Sequence, residues 1–253
     1  MTDDTTSRDV HAPDVTARDA RVRERQTLRT ARYVVVGEEP ARARRIWFVL
    51  HGYGMLAGRF VRPFAGVIPA DTCIIAPEAL SRFYLEMPRA DGGHQQRIGA
   101  TWLTRESRET EIADAHRWLD AVYDEVIREA SAAQHTPPAV AVLGFSQGVA
   151  TAMRWIASGH VAPQQFVAWA GGLAHDVPTH AVHARTFAHR MQGERLLIVS
   201  GTEDPFATGA ARESIRATLD RLGVTYRART FDGAHHLDAP LLGTLLADFT
   251  PDA

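Results

Sequence analysis

The amino-acid sequence predicts an α/β protein with a doubly wound, mostly parallel sheet. Short β-rich segments alternate with helical patterns from about residue 32 to the end of the chain, and this alternation is typical of sheets built from βαβ units. Several of these segments are apolar without interruption, as is expected of central strands that helices cover on both faces. The length of 253 residues suits one such domain.

Seven segments are predicted to be strands of this sheet. In chain order they are RYVVV (32–36), RIWFVLHG (45–52), TCIIAP (72–77), AVAVLGF (139–145), QFVAWAG (165–171), ERLLIVSG (194–201) and TYRARTFDG (225–233). RYVVV and TYRARTF are more typical of edge strands.

Four segments are predicted to be helices, at residues 110–130, 147–158, 208–222 and about 239–249. The first and third place apolar side chains at spacings of three and four, so that one face is apolar. The second is small or apolar nearly all round, which indicates a buried helix. Gly159 and Gly223 are expected to end the helices that precede them, and Asp238 is expected to cap the last, with Pro240 in its first turn.

Two stretches do not fit this alternation. Residues 78–109 contain three glycines and several aromatic residues, and residues 173–192 contain four histidines. Both stretches are predicted to lie over the ends of the strands. In sheets of this kind, ligand and active sites form at the carboxyl ends of the strands.

Composition excludes several classes of function. The net charge of −2 gives no electrostatic basis for binding nucleic acid or an anionic membrane. Every basic residue is arginine, which excludes a Schiff-base lysine and a P-loop lysine. The single cysteine, Cys73, precludes an intramolecular disulfide, and its apolar surroundings predict a buried thiol.

Residues 1–25 are polar, charged and without apolar periodicity, so a disordered arm is predicted there, followed by one domain over residues 26–253. The sequence contains neither a secretory signal pattern nor an apolar run of membrane-spanning length. We therefore expect a cytoplasmic protein with no membrane insertion.

The segment GFSQG, residues 144–148, lies between a predicted buried strand and a predicted buried helix. This is the setting of the nucleophile elbow, in which a sharp turn lifts a serine hydroxyl clear of the sheet. Gly144 and Gly148 would avoid clashes beside Ser146, and the amide of Gln147 would point at the same place as the hydroxyl. The alternative is a glycine-bounded turn in which the serine only caps the helix.

A serine nucleophile needs a base and an acid, which on this type of sheet follow in the order acid, then histidine. Asp204 follows the strand LLIVSG, and His235 follows the strand TYRARTF. Three alternatives stay open. Asp204 could only open a turn before Pro205, the adjacent His236 could take the place of His235, and Asp232 or Asp238 could orient the histidine.

The loop HGYG, residues 51–54, follows the second predicted strand and allows the backbone to approach a ligand closely. The amide of Tyr53, or of a neighbour within residues 53–55, is the candidate second donor of an oxyanion hole. His51 is expected to hold this loop by hydrogen bonds. A metal site is not expected, because the histidines lack metal-binding spacing; His180, His183 and His189 are predicted to lie on a polar helix face.

With these residues placed, the chain resembles the α/β-hydrolase superfamily, and within it the phospholipase/carboxylesterase family, which includes acyl-protein thioesterases and small bacterial esterases. The segments that carry the resemblance are LHGYG (50–54), APEALSRFYLE (76–86), GATWLTRE (99–106), GFSQG (144–148), SGTEDPF (200–206) and FDGAHHLD (231–238). The resemblance implies an α/β-hydrolase fold with little or no lid, and no cofactor.

The resemblance also implies roles for residues. Ser146, Asp204 and His235 take the catalytic positions, and the amides of Tyr53 and Gln147 take the oxyanion positions. Phe83, Tyr84 and Trp102 are implied to line the acyl pocket, with buried packing as the alternative. Ala234 and His236 depart from a Gly-Gly-His pattern that is common in the family.

The expected function is hydrolysis of carboxylic esters with small or medium acyl groups through an acyl-enzyme. The small-molecule ester is then the expected partner. An acyl-protein thioesterase or a lysophospholipase with the same three residues is one alternative. A ligand-binding or receptor protein on the same fold is another, although a pure binding protein has no need of all three residues.

Overall fold

A computed structural model describes residues 23–88 and 93–250 of the chain. The chain divides into two units, Met1–Thr30 and Ala31–Ala253. Of the first unit, the structure describes residues 23–30, which contain no helix or strand. The arm predicted over residues 1–25 lies almost wholly outside the described residues and stays a prediction. Within the described part, no helix is both long enough and apolar enough to span a membrane.

The described residues of the second unit form nine strands. They are β1 (Tyr33–Gly37), β2 (Arg45–Leu50), β3 (Thr72–Pro77), β4 (Ser81–Pro88), β5 (His94–Thr101), β6 (Ala139–Phe145), β7 (Gln165–Trp169), β8 (Leu196–Gly201) and β9 (Tyr226–Phe231). Seven of them form one sheet in the order β1-β3-β2-β6-β7-β8-β9, and β4 pairs with β5 in a separate antiparallel hairpin.

The seven strands of the large sheet are the seven that the sequence predicts. All neighbouring pairs are parallel except β1 and β3, which are antiparallel. β1 and β9 are the edge strands, as predicted. The register places Leu50 of β2 beside Gly144 of β6, and Phe145 beside Trp169 of β7. The loops that follow β2, β6 and β7 therefore begin at the same level of the sheet.

In the part of the chain that the structure describes, six α-helices accompany the strands: α1 (Ala57–Phe60), α2 (Arg108–Ala133), α3 (Gln147–Ser158), α4 (Ala181–Arg190), α5 (Gly209–Leu222) and α6 (Ala239–Asp248). The four predicted helices correspond to α2, α3, α5 and α6. Gly159 and Gly223 end α3 and α5 with φ angles of 94° and 63°. The Asp238 carboxylate accepts a hydrogen bond from the amide of Leu241 at 2.8 Å, so it caps α6 as predicted.

Helices cover both faces of the sheet, which makes the fold doubly wound. Alternate residues of each central strand enter two separate apolar clusters. Phe48 of β2 packs in a cluster with Leu119 of α2 and Trp155 of α3, whereas Trp47 packs in the other, with Leu242 of α6. All residues of β2, β3, β6 and β7 are buried, which explains why these strands are apolar after their first residues.

The two stretches that did not fit the alternation contain structure of their own. Residues 78–109 contain β4 and β5, which pair as a hairpin. The side chain of Leu85 packs closely on Gly54, where an added Cβ would lie only 2.9 Å from it. Residues 173–192 contain α4, whose first turn is capped by His180, which accepts a hydrogen bond from the amide of His183. Cys73 is fully buried in β3, as predicted.

Candidate active site

Ser146 lies at a sharp turn between β6 and α3. Its backbone angles are φ 53° and ψ −118°, a conformation that residues with a side chain rarely adopt and that costs about 1–3 kcal/mol. The amide of Ser146 donates a hydrogen bond to the carbonyl of Trp169 at 2.9 Å, which anchors the turn to the end of β7. This is the strand-to-helix geometry that GFSQG predicts.

Three glycines make room for this turn. A Cβ on Gly144 would lie 2.5 Å from the carbonyl oxygen of Gly148, and one on Gly148 would lie 2.2 Å from that of Leu50. A Cβ on Gly171, in the loop after β7, would lie 2.2 Å from the carbonyl oxygen of Ser146 itself. Such contacts do not occur in real structures, so any side chain at these positions would displace the turn.

The structure brings Ser146, His235 and Asp204 together. Nε2 of His235 lies 3.0 Å from Oγ of Ser146, and Nδ1 lies 2.8 Å from Oδ2 of Asp204. The Asp204 side chain is 1% exposed, and its other oxygen accepts a hydrogen bond from the amide of Phe206 at 2.8 Å. These residues follow β6, β9 and β8, at the carboxyl edge of the sheet where the sequence predicts them.

The imidazole of His235 is held on two sides by aromatic rings. The ring of Phe145 lies 4.9 Å from it and the ring of Phe206 lies 4.8 Å from it, measured between centroids. Phe206 is 68% exposed, so it forms part of the outer wall of the site. Sequence reasoning did not single out Phe206, although it stands two residues after Asp204 in the segment SGTEDPF.

The open alternatives for the histidine and the acid receive other roles. The exposed His236 packs its ring against Phe231, 5.2 Å away, and its carbonyl accepts a hydrogen bond from the indole of Trp169. Asp232 accepts a hydrogen bond from the hydroxyl of Thr202 at 3.2 Å, and Asp238 caps α6. The arrangement therefore favours His235 with Asp204 over these alternatives.

The loop after β2 lies beside the elbow and offers one amide. Gly54 donates its amide hydrogen to the carbonyl of Ala100 at 2.9 Å, and Met55 donates to the carbonyl of Gly52 at 3.3 Å. Of the three amides considered in this loop, that of Tyr53 remains as the candidate donor. The amide of Gln147 belongs to the first turn of α3, where backbone N–H groups have no partner within the helix.

His51 holds this loop in place from beneath. Its Nε2 accepts a hydrogen bond from the amide of Ala79 at 3.0 Å, so the ring proton is on Nδ1, which donates to the carbonyl of Gly52 at 2.8 Å. Burial lowers the pKa of the imidazole below its ordinary value, an effect that the Gly52 carbonyl and the Glu78 carboxylate only partly oppose. A neutral, buried His51 has a structural role.

The side chain of Gln147 joins the elbow to the end of β5. Its amide nitrogen lies 3.1 Å from the carbonyl of Leu103, and its oxygen accepts a hydrogen bond from the amide of Trp102, also at 3.1 Å. The indole of Trp102 donates to the carbonyl of His51 at 2.8 Å. One network thus connects the elbow, the end of β5 and the loop after β2. Sequence reasoning considered only the backbone of Gln147.

A cavity of about 340 Å³ opens beside Ser146. It is lined by residues from the elbow and α3, the loops after β7 and β8, the end of β8, α5 and the histidine loop: Ser146, Gln147, Ala150, Ala170, Gly171, Gly172, Ile198, Val199, Ser200, Asp204, Phe206, Ala207, Ala211, Arg212, Ile215 and His235. Most of this lining is apolar. The apolar face of α5, which the sequence predicts, contributes Ala211 and Ile215.

The three aromatic residues implied to form the pocket do not line this cavity. Trp102 is 3% exposed and packs 5.0 Å from the ring of His51, so the alternative of buried packing applies to it. Phe83 lies in the hairpin 5.1 Å from the ring of Tyr53, and Tyr84 is 68% exposed. The pocket wall instead comes from α5, which sequence spacing alone does not bring to Ser146.

The histidine-rich segment lies away from these residues in sequence and forms the helix α4. His180 and His183 stack with their centroids 4.0 Å apart at its start, and His189 lies in its last turn. Across residues 23–88 and 93–250, no group of three or more potential ligands is arranged to hold a metal ion.

The known structures with a similar fold include carboxylesterases and an acyl-protein thioesterase. A carboxylesterase from Mesorhizobium loti is 21% identical, with a TM-score of 0.60 over 86% of this chain and 95% of that chain. Zea mays acyl-protein thioesterase 2 is 16% identical, with a TM-score of 0.58 over 86% of this chain and 97% of that one. A phospholipase/carboxylesterase from Dyadobacter fermentans is 15% identical, with a TM-score of 0.55 over 88% and 98%.

Comparison with family models gives no match, and comparison with curated protein sequences gives none either. At 15–21% identity, the likeness to these three structures concerns the fold. The central sheet, the helices on both of its faces and these structural neighbours agree with one another. The chain has the α/β-hydrolase fold.

Proposed function

We propose that this protein is a serine hydrolase that cleaves carboxylic esters with small or medium acyl groups. One observation carries the proposal. Within a single site, Oγ of Ser146, the imidazole of His235 and the carboxylate of Asp204 are joined by contacts of 3.0 and 2.8 Å. The serine is at a strained turn, and a cavity opens beside it. This is the geometry of an activated nucleophile with its base and orienting acid.

The chemistry follows from these contacts. His235 takes the proton of Ser146 as its oxygen attacks the ester carbonyl, and Asp204 holds the imidazole in the tautomer that presents Nε2 to the serine. The amides of Tyr53 and Gln147 stabilise the oxyanion, each contributing roughly 3 kcal/mol. The imidazolium then protonates the leaving alcohol. Water, deprotonated by the same imidazole, hydrolyses the acyl-enzyme.

The cavity supports the choice of acyl group. Its volume of about 340 Å³ is at the lower end of the usual range for ligand pockets, about 300–1,000 Å³. A short or medium acyl chain fits this volume better than a fatty acyl chain. Acyl-protein thioesterase or lysophospholipase activity is the second candidate, favoured by the structural likeness to the Zea mays thioesterase. Hydrolysis of p-nitrophenyl butyrate, p-nitrophenyl palmitate and a palmitoyl thioester would distinguish the two.

The first test replaces the nucleophile. Ser146→Ala should lower kcat for p-nitrophenyl butyrate by at least about 10⁴-fold, because no other group can form the acyl-enzyme. The same change should abolish covalent labelling by a fluorophosphonate probe. A ligand-binding protein on this fold would not be labelled in its wild-type form.

Ser200 provides the matched control, because it lines the same cavity without contacting His235 through a hydrogen bond. Ser200→Ala should keep its labelling, and mass spectrometry of the labelled wild-type protein should place the probe on Ser146. Labelling that survives in Ser146→Ala would refute the assignment of the nucleophile.

A further inference from the structure

The cavity beside Ser146 contains one positive side chain that the proposed chemistry does not use. Three ionisable residues line the cavity, namely Asp204, His235 and Arg212. The first two are engaged with each other at 2.8 Å. The rest of the lining is mostly apolar or small, so Arg212 is the feature that would distinguish a charged ligand from a neutral one.

Arg212 stands in the first turn of α5, and its side chain is exposed. Its backbone amide donates to the carbonyl of Thr208, but within the described part of the chain its guanidinium is in no ion pair. By contrast, the guanidinium of Arg216, one turn further along α5, forms an ion pair with Glu213. The Arg212 guanidinium is therefore available to a ligand.

The position of Arg212 on α5 relates it to the apolar wall. Ile215 is three residues further along the helix, and residues at this spacing lie on the same face. Both line the cavity, together with Ile198 from β8. A ligand that extends from Ser146 would thus contact apolar side chains, which suit methylene groups, and a positively charged group within the same cavity.

We propose that Arg212 binds a carboxylate on the substrate, so that the preferred esters are half-esters of dicarboxylic acids. This inference rests on the proposed serine hydrolase function. A guanidinium binds a carboxylate through paired, charge-assisted hydrogen bonds. The lining supplies a single guanidinium, whose charge matches a singly charged carboxylate, whereas phosphate groups are typically bound by clusters of arginines. The carboxylate lies in the acyl portion, separated from the scissile carbonyl by methylene groups.

The test compares two esters with acyl chains of six carbons. Monoethyl adipate carries a terminal carboxylate, and ethyl hexanoate does not. We expect the wild-type protein to have a higher kcat/KM for monoethyl adipate. In Arg212→Gln, the ratio of the two kcat/KM values should fall about tenfold, mainly through KM, because the paired, partly exposed charge-assisted hydrogen bonds to the carboxylate are lost.

Charge reversal gives a readout that a folding defect cannot imitate. Arg212→Glu should turn the preference towards ethyl 6-aminohexanoate, which carries an ammonium group at the same place. Arg216→Gln is the matched control, one turn further along α5 and outside the cavity lining, and its ratio should equal that of the wild type. Raising the salt concentration should reduce the wild-type preference, since a partly exposed ion pair is screened.

The outcomes separate this inference from the proposed function. Hydrolysis of all three esters with ratios that Arg212→Gln and Arg212→Glu leave unchanged would overturn the role of Arg212 and leave the serine hydrolase intact. A wild-type preference for ethyl hexanoate over monoethyl adipate would overturn it too. Failure to hydrolyse any of the esters, together with no labelling by the fluorophosphonate probe, would overturn both.

Discussion

The backbone of Ser146 is strained, and this conformation is possible because neighbouring residues are glycines, which have no side chain. Glycines at positions 144, 148 and 171 allow three chain segments to approach within distances that a Cβ would forbid. The hydrogen bond from the Ser146 amide to Trp169 fixes the result. Strain of this kind persists only where several independent contacts hold the same conformation. The position of one hydroxyl thus depends on residues that never touch a substrate carbonyl.

Adjacent glycines give a direct test of this dependence. Gly171→Ala should destabilise the protein by about 1–3 kcal/mol, because its Cβ would lie 2.2 Å from the carbonyl oxygen of Ser146 and the turn would have to shift. Gly172→Ala should change the free energy of unfolding by less than about 1 kcal/mol, since no atom lies within 4 Å of its Cβ. Urea unfolding of both variants measures the difference. Equal stability of the two would contradict a crowded turn.

At this scale, the sequence predicts Ser146, Asp204 and His235 as one site from their chain order and their places after three strands, and the structure brings these side chains within hydrogen-bond distance of one another. Sequence reasoning missed Phe206 and the side-chain contacts of Gln147, because those depend on packing that no short motif expresses. Nor does any motif indicate that Arg212 lines the cavity. Arg212 is 66 positions after Ser146 in the sequence, and only the fold brings α5 to the elbow.

Between helices, one carboxylate joins two elements. Asp176, in the loop before α4, pairs with Arg154 of α3 at 2.8 Å and with Arg108 at the start of α2 at 3.1 Å. The side chain of Arg154 is only 8% exposed. Burial opposes ionisation of Asp176, but the two guanidinium groups outweigh it and hold the pKa of the carboxyl well below its usual range.

Asp176→Asn should therefore lower the free energy of unfolding by about 2 kcal/mol, an estimate reduced for the partial exposure of the carboxylate. The loss leaves the buried guanidinium of Arg154 without a counter-charge. Asp114→Asn is the control, because Asp114 and its partner Arg117 are both about half exposed, and it should cost under about 1 kcal/mol. Urea unfolding at pH 7 measures the free energy of unfolding of both variants and of the wild type. A loss of the same size in the control would refute this role of Asp176.

Elements with strong apolar periodicity were predictable, and those without it were not. α3 has the predicted bounds, and α2 extends the predicted segment by only a few residues. The β4–β5 hairpin was not predicted as a pair of strands, because β5 begins with the polar residues His94, Gln95 and Gln96 and the hairpin lies outside the main sheet. β4 and β5 pair with each other, and Leu85 and Gly99 approach Gly54 closely, contacts that local sequence does not encode.

For the molecule as a whole, the packing of helices and loops on the sheet takes several histidines partly or fully out of water. Burial lowers the pKa of His51, of His116 and of His183 below the ordinary value of 6.5, and for His183 the neighbouring His180 lowers it further. For His116, the charges that modify this effect are those of Asp120, His183, Arg154 and Asp176. Its Nε2 is buried without a hydrogen-bond partner within the described part of the chain. Folding therefore favours the neutral form of His51 and of His116 over the charged form.

This arrangement predicts a loss of stability in mild acid. Because the folded-state pKa values are lowered, the unfolded chain binds more protons as the pH falls below about 6.5, and the stabilising contribution present above that pH is lost. The free energy of unfolding should be smaller at pH 5 than at pH 7. His116→Gln removes one of these groups, so the difference between the two pH values should shrink.

Replacement of the exposed His175 by glutamine provides the comparison and should leave the pH dependence as it is in the wild type. Urea unfolding at the two pH values measures all three proteins. If His116→Gln has the same pH dependence as the wild type, then His116 does not take up a proton when the chain unfolds in mild acid, and the prediction is wrong.

The overall architecture was predictable because a buried parallel sheet imposes long apolar strands, and these stand out in the sequence. The order of the strands was not, because β3 lies between β1 and β2 through a crossover that depends on the whole chain. The same limit applied to the cavity. Its walls come from segments between residues 146 and 235, and their convergence is a property of the assembled domain.

α5 runs between the segment that supplies Asp204 and the strand that leads to His235, yet contributes neither residue. α5 thus furnishes part of the cavity wall, while Asp204 and His235 lie in the chain segments before and after it. For the proposed hydrolase, exchanging residues 209–215 for a segment of different composition should therefore change which acyl groups are preferred and leave the contacts among Ser146, His235 and Asp204 in place.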